Sequence, residues 1–362
     1  MPTSCTTGRL CKPEIPAVAA DVDTFLVTVY CLIDDQYRAH AAPIRAHLPG
    51  RPGRLSDSEV LTLAVIAQWQ PNASERQFVA WAVKHWRTPY FPNLISQSAF
   101  NRRVRQLCGV LAKLSEWIRQ AVEALLPYAP VYQVVDGVAV PLMRRGRGRR
   151  HRCFGDEADV GRGGSDHDWY YGVKMLAAVD NVGFLTGWVV GPASTEEHWL
   201  AEALFRWQWW PDVKAPTADS LATVLGPSHR HGGVRFGPRG PVRGRLSAGR
   251  PFPGSTLSDL GLQGDAWRQH WFRDLGARVL LKTDYAPGSE QRRSVRWFSR
   301  RRLQIEATFS TLEAAFHLKF PRARTFWGLL TRLAAKASAY NLALAVNLLA
   351  GSSTRAFFNP LA

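Results

Sequence analysis

The stretch Val131-Tyr-Gln-Val-Val-Asp136-Gly-Val-Ala-Val140 constrains the fold more than any other part of the chain. Seven of its ten residues are Val, Ala or Tyr. Branched and aromatic residues at that density fit a pleated, buried strand. At its centre stands one acid, Asp136. A carboxylate in an apolar strand has to be hydrogen-bonded, paired, protonated or metal-bound, because a bare buried charge is too costly to persist. The rest of the chain must therefore supply partners for Asp136.

Composition narrows what those partners serve. The chain has 362 residues, enough for a sizeable core and two domains. A hydrophobic share of 46% is that of a globular protein and excludes wholesale disorder. Lys and Arg number 46 against 29 Asp and Glu, a net charge of +17, and only eight of the 46 are Lys. Arg presents a planar fork that matches phosphate with two parallel hydrogen bonds. Such an excess on a folded chain points to a polyanionic partner, nucleic acid first. An Arg-rich coding bias is the plainer account of the same count. The five cysteines, Cys5, Cys11, Cys31, Cys108 and Cys153, are scattered without a CxxC pair. They indicate neither a disulfide framework nor a zinc site, and they fit a reducing cytoplasm. The start of the chain lacks the charged-then-apolar pattern of a signal peptide. The most apolar late stretch, 329–350, carries Arg332 and Lys336 and reads as a buried helix, so no membrane span is expected.

Residues 1–20, with Pro2, Pro13 and Pro16, form a loose lead-in, and 21–128 read as an all-helical, DNA-binding domain. Ser56 with Glu59 three residues on is a capping box. Ser74 caps a second helix, and Ser96 or Ser98 a third. That third helix carries Arg102, Arg103 and Arg105, candidates for reading a DNA groove. A solvated face of a basic protein accounts for the same residues.

After Pro130 the period changes. Residues 144–152 read as a basic loop whose six Arg include Arg147, Arg149 and Arg150, further candidates for DNA contact. Tyr170–Val179 and Phe184–Val190 are strands joined by the turn at Asn181-Val-Gly183. Lys174 on the first of them either faces phosphate or reaches to water. Glu196-Glu197-His198 fits the charged first turn of a helix running to Trp210. Residues 211–256 form an Arg/Gly/Pro-rich insertion, either a phosphate clamp or a tolerated solvated loop. Ser255–Asp259 is a short strand ending in an acid, Asp265 caps the next helix, and 277–283 is another strand. Residues 287–291 are a loop. Gln304–Phe316 is a helix with Ile305, Phe309, Leu312 and Phe316 in one apolar stripe and Glu306 beside it. A last helix spans Trp327–Leu349, and 350–362 form a tail.

This order is that of a ribonuclease-H-like α/β fold, a mixed sheet flanked by helices. Asp136, Asp259 and Glu306 fall on separate elements, as carboxylates must to hold two divalent ions about 4 Å apart. Oxygen ligands suit Mg²⁺ or Mn²⁺.

Several motifs together resemble the DDE transposases of bacterial insertion sequences. They are Val135-Asp136-Gly-Val-Ala-Val-Pro141 with Trp169-Tyr-Tyr-Gly-Val-Lys174, then Asp259-Leu-Gly-Leu-Gln-Gly264, then Arg302-Leu-Gln-Ile-Glu306 running on to Tyr340-Asn341. The resemblance covers about residues 21–349. It implies a ribonuclease-H-like catalytic domain over 129–349, with Asp136, Asp259 and Glu306 as catalytic, metal-holding acids. It implies Arg302 as their support, two Mg²⁺ or Mn²⁺ ions per site, and double-stranded DNA as substrate, both element ends and target. Bringing two ends together implies at least a homodimer. Leu262 stands where an aromatic residue is usual, and Ser299 and Glu313 stand where some relatives carry Tyr and Lys. Asp265 is the alternative second acid, although its place suits a helix cap. Glu306 as a surface acid paired with Arg302 one turn earlier is the plain alternative for that residue. The implied activity is metal-dependent DNA cleavage and strand transfer at element ends. A DNA-binding protein without catalysis, or a nuclease that joins nothing, are the other readings.

Overall fold

The computed structural model describes residues 22–46, 53–69, 74–125, 130–150, 154–163, 168–209, 254–284, 289–319 and 321–351. The lead-in 1–20, nearly all of the insertion 211–256 and the tail beyond 351 lie outside them. The protein is a mixed α/β structure with a helical N-terminal region. That region contains α1 (Val22–His40), α2 (Ala42–Arg45), α3 (Asp57–Ile66), α4 (Glu75–His85), α5 (Gln97–Gln106) and α6 (Cys108–Leu125). Its starts follow from side-chain caps. Ser56 Oγ accepts the Glu59 N–H at 3.1 Å, and Glu59 Oε2 accepts the Ser56 N–H at 2.6 Å, closing the box. Ser74 and Ser96 cap α4 and α5 with the side chain alone, accepting the Gln77 and Ala99 N–H groups. Residues 60–66 of α3 are apolar apart from Thr62 and buried all round, so α3 lies inside the helical layer.

The sheet begins with β1 (Tyr132–Arg144), followed by α7 (Arg145–Arg150), β2 (Asp159–Gly163), β3 (Asp168–Asp180), β4 (Leu185–Pro192) and α8 (Glu197–Trp209). Then come β5 (Ser255–Ser258), α9 (Asp265–Leu275), β6 (Val279–Leu281), α10 (Ser289–Ala314) and α11 (Phe326–Leu349). β1 pairs antiparallel with β3 and parallel with β5, and β5 pairs parallel with β6. β2 and β4 share the far edge of β3, taking its first and second halves in turn.

Two expectations are corrected here, and one strand was not foreseen. Residues 145–150 form a short helix, not a loop. It closes over β3, where a Cβ on Gly148 would collide with the Tyr171 side chain, so glycine permits the approach. Residues 159–163 form a strand, although Asp-Val-Gly-Arg-Gly has no apolar alternation; the open edge of β3 supplies its hydrogen bonds. The helix expected from Gln304 starts at Ser289. Its apolar seam begins earlier, at the fully buried Phe298, seven residues before Ile305 and fourteen before Leu312.

The alternation of β1 feeds two cores. Val134, Val138 and Val140 join α1, α3–α6, α10 and α11 in one continuous apolar core, which crosses the compositional boundary near residue 128. Val135 faces the other side, with Leu176, Val189, Leu204, Phe205 and Trp271 from β3, β4, α8 and α9. Buried polar groups tie the layers. Asn341 on α11 donates to the Ser115 carbonyl of α6 at 2.7 Å and exchanges two hydrogen bonds with the Leu185 backbone of β4, both 2.9 Å. The Tyr340 hydroxyl donates to the Gly183 carbonyl at 3.0 Å and meets Thr308 of α10 at 2.9 Å, which fixes α10 against the β3–β4 turn. Among the described residues no helix is long and apolar enough to cross a membrane. Cys31 and Cys108 are free thiols; the other cysteines lie outside the described residues.

Candidate active site

Strand register brings the first two acids together. Val135 of β1 is paired in parallel with Ser258 of β5. Asp136 and Asp259 each come next in sequence, and neighbouring strands lie about 4.8 Å apart. Both therefore leave the sheet at one place, where β5 ends and β1 runs on. Asp136 Oδ1 accepts the Gly137 N–H at 2.7 Å, and Asp259 Oδ1 accepts the Gly261 N–H at 2.8 Å. Each acid thus spends one oxygen on local backbone.

The second oxygens share a cation. Arg302 Nη2, from α10, lies 3.2 Å from Asp136 Oδ2 and 3.7 Å from Asp259 Oδ2. One guanidinium does not balance two carboxylates. Burial, and then the Asp259 charge, push Asp136 up to about 6, against the pull of the Gly137 N–H and Arg302. The Asp136 side chain is 19% exposed and that of Asp259 33%, so the pair is reachable from solvent.

Glu306 follows Arg302 by one turn of α10, on the same face of the helix. It is exposed and makes no ion pair with any described residue, Arg302 included. Asp265 stands apart. Gly264, not Asp265, is the N-cap of α9, because Asp265 already has helical geometry as the first residue. Its side chain is 81% exposed and bonded to Arg268, which also holds Asp284.

One acid at this place was passed over in the sequence. Glu197 opens α8, yet its carboxylate reaches across the end of the sheet. Its Oε1 lies 3.4 Å from Lys174 Nζ, which also donates to the Thr195 carbonyl at 3.3 Å. A Cβ on Gly137 would touch Glu197 Oε1 at 3.4 Å, and one on Gly261 would collide with Glu197 Oε2. Gly261 is thus a glycine because two carboxylates crowd it. Gly137 one residue after Asp136 and Gly261 two after Asp259 were the available signal; which other acid they make room for depends on how α8 packs.

The expected DNA-contact arginines separate. Arg103 is consumed by structure: it is ion-paired with Asp57 and donates to the Leu55 carbonyl at 2.9 Å. Arg102 is exposed, Arg105 is half-buried and Arg147 is exposed. The side chains of Arg149 and Arg150 lie outside what is described.

Asp136 and Asp259 offer oxygen donors only, the set a hard divalent ion takes, and their mutual repulsion is what such an ion relieves. Among the described residues no group of three or more His, Cys, Asp or Glu side chains is close enough to hold a metal. Glu306 and Glu197 each stand outside the pair. No family model, curated protein or solved structure matches the chain.

Proposed function

We propose that this chain is a DNA-processing enzyme of the insertion-sequence transposase kind, with a ribonuclease-H-like sheet. It would cut the ends of a mobile element and join them to target DNA. The carrying observation is the convergence of Asp136 and Asp259, from adjacent parallel strands, on one helix-borne arginine. The fold identity is supported by the strand order β4-β3-β1-β5-β6, antiparallel first and parallel after, with α10 packed against β1.

In this reading Asp136 and Asp259 would hold Mg²⁺ or Mn²⁺, with Glu306, one helical turn beyond Arg302, as the third acid. Such ions, when bound, activate a water or a 3′-hydroxyl and stabilise the leaving oxygen. The chain's own residues set the stage. Arg302 keeps the two aspartates aimed at one point, and its Nε is buried with no acceptor among the described residues, a donor suited to a phosphate oxygen. Lys174, held by Thr195 and Glu197, places a second cation at the same end of the sheet. Joining two ends calls for two copies of the chain.

A second reading is a transposase-derived DNA-binding protein without catalysis. It is favoured by Arg302 itself, which already offsets part of the charge that a metal would offset. Labelled element-end duplex incubated with Mn²⁺ separates the two. Wild type should cut and Asp136→Ala should not. Binding without cutting by wild type, or equal cutting by both, would sink the enzyme reading. Joined products separate a transposase from a plain nuclease.

A further inference from the structure

Away from the carboxylates, an open cleft of about 850 Å³ is lined by α4, α5, the α10–α11 connection and α11. Its lining includes Arg76, Arg105, Arg322, Arg324, Arg332 and Lys336. Glu75 is its acid, and that carboxylate is held by the side-chain amides of Gln97 at 2.7 Å and Asn101 at 2.9 Å. Arg76, Arg322 and Arg324 are exposed at the surface. Arg332 and Lys336 lie deeper, one helical turn apart on α11, and Lys336 is only 7% exposed.

The two deep cations rest on neutral acceptors. Arg332 Nη1 donates to the Pro321 carbonyl at 2.5 Å. Lys336 Nζ donates to Gln68 Oε1 at 3.0 Å and to the Phe316 carbonyl. Neither forms an ion pair with a described residue. Like charges one turn apart repel, and burying a cation without a counter-charge is costly. Burial, and then Arg332, hold Lys336 down to about 7. A negative group entering this cleft would relieve both costs.

We propose that this cleft seats the phosphate backbone of double-stranded DNA. The rim arginines supply forks that fit phosphate, and the deep pair supplies the field that draws it in. Of the rings in the lining, Phe78 and Phe100 are 2% and 3% exposed, and His317 is exposed. A single exposed imidazole gives successive unpaired bases no run of platforms to stack on, which favours a duplex over a single strand. Of the basic positions on α5, Arg105 serves this surface, while Arg103 is spent on Asp57.

The choice of duplex rests on the DNA-processing reading, but the two fail separately. The test is fluorescence anisotropy of a labelled duplex with the full chain, in EDTA, so that the carboxylate site is not engaged. Arg76→Glu with Arg324→Glu should weaken binding at least tenfold and reduce the slope of log affinity against log salt by about two. Arg273→Glu, on the exposed face of α9 (77% exposed), is the control and should change affinity less than threefold. Unchanged affinity in the cleft variant, or an equal loss in the control, overturns the proposal. So does a duplex RNA that binds as tightly through the same arginines. Should the double reversal lower the melting temperature, Arg76→Gln with Arg324→Gln replaces it, and a loss of about threefold is expected; no loss overturns the seat. Intact cleavage with cleft-independent binding refutes the cleft alone. Cleft-dependent binding without cleavage refutes the enzyme alone.

Discussion

Asp136 and Asp180 lie on the same antiparallel strand pair, β1 and β3, and are served in different ways. Asp180 is wholly buried at the end of β3. Its Oδ1 accepts three backbone N–H groups of the following turn, from Val182 at 3.0 Å, Gly183 at 2.9 Å and Phe184 at 3.0 Å. That acid closes a hairpin. Asp136 has one backbone N–H, and its other oxygen shares Arg302 with a second carboxylate. A buried acid in a strand is therefore not by itself a catalytic signal. The distinguishing property is whether the fold spends the carboxylate on its own backbone or sets it beside a second carboxylate on one shared cation.

Removing each acid in turn separates their roles. Asp136→Ala should reduce DNA cleavage at least ~1,000-fold, the scale of removing a group that holds the catalytic ions, while the melting temperature stays level or rises as the repulsion with Asp259 goes. Asp180→Ala should do the reverse. It removes the acceptor that three N–H groups of the turn share, at about 3 kcal/mol of stability in denaturant unfolding, and any cleavage lost should follow the folded fraction. A stable Asp180→Ala, or an unfolded Asp136→Ala, would erase the distinction.

Arg302→Gln sharpens it. Without the guanidinium the two carboxylates repel unscreened, so stability in EDTA should fall by roughly 1 kcal/mol, and Mn²⁺ should restore more of it than in wild type. Differential scanning fluorimetry with and without Mn²⁺ reads both. The smallest effect concerns pH. Lys336, with Arg332 on its own helix and Glu75, His317 and Lys319 lining the same cleft, loses its proton near 7 in the fold. In an unfolded chain it would keep it to about 10. Between those values the unfolded state binds more protons, so stability rises with pH; below 7 the fold carries the full penalty. Melting curves at pH 7 and 9 should show that rise in wild type and a flatter response in Lys336→Met.

Local chemistry made much of this fold legible. The caps at Ser56, Ser74 and Ser96, the apolar run around Asp136 and the turn at Gly183 all act through neighbours within four residues. What escaped depended on distant partners. β2 exists because β3 leaves an edge open, and α7 because Gly148 can lie on Tyr171. In the site, Asp136 stood out because its strand is so apolar, and Asp259 because β5 ends at it. Glu197 looked like an ordinary first-turn acid, since nothing local says that α8 points its start at Lys174 and Gly261. Arg103 looked like a groove reader, since its partner Asp57 is 46 residues away. In both cases the missing information was which charge a folded chain brings opposite.

The most direct test of the paired-acid account is a calorimetric titration of Mn²⁺ into the wild type, Asp136→Asn and Asp180→Asn, each checked for folding by circular dichroism. The account predicts that wild type and folded Asp180→Asn bind Mn²⁺ alike and that Asp136→Asn loses the binding. Equal Mn²⁺ binding by wild type and Asp136→Asn would contradict it.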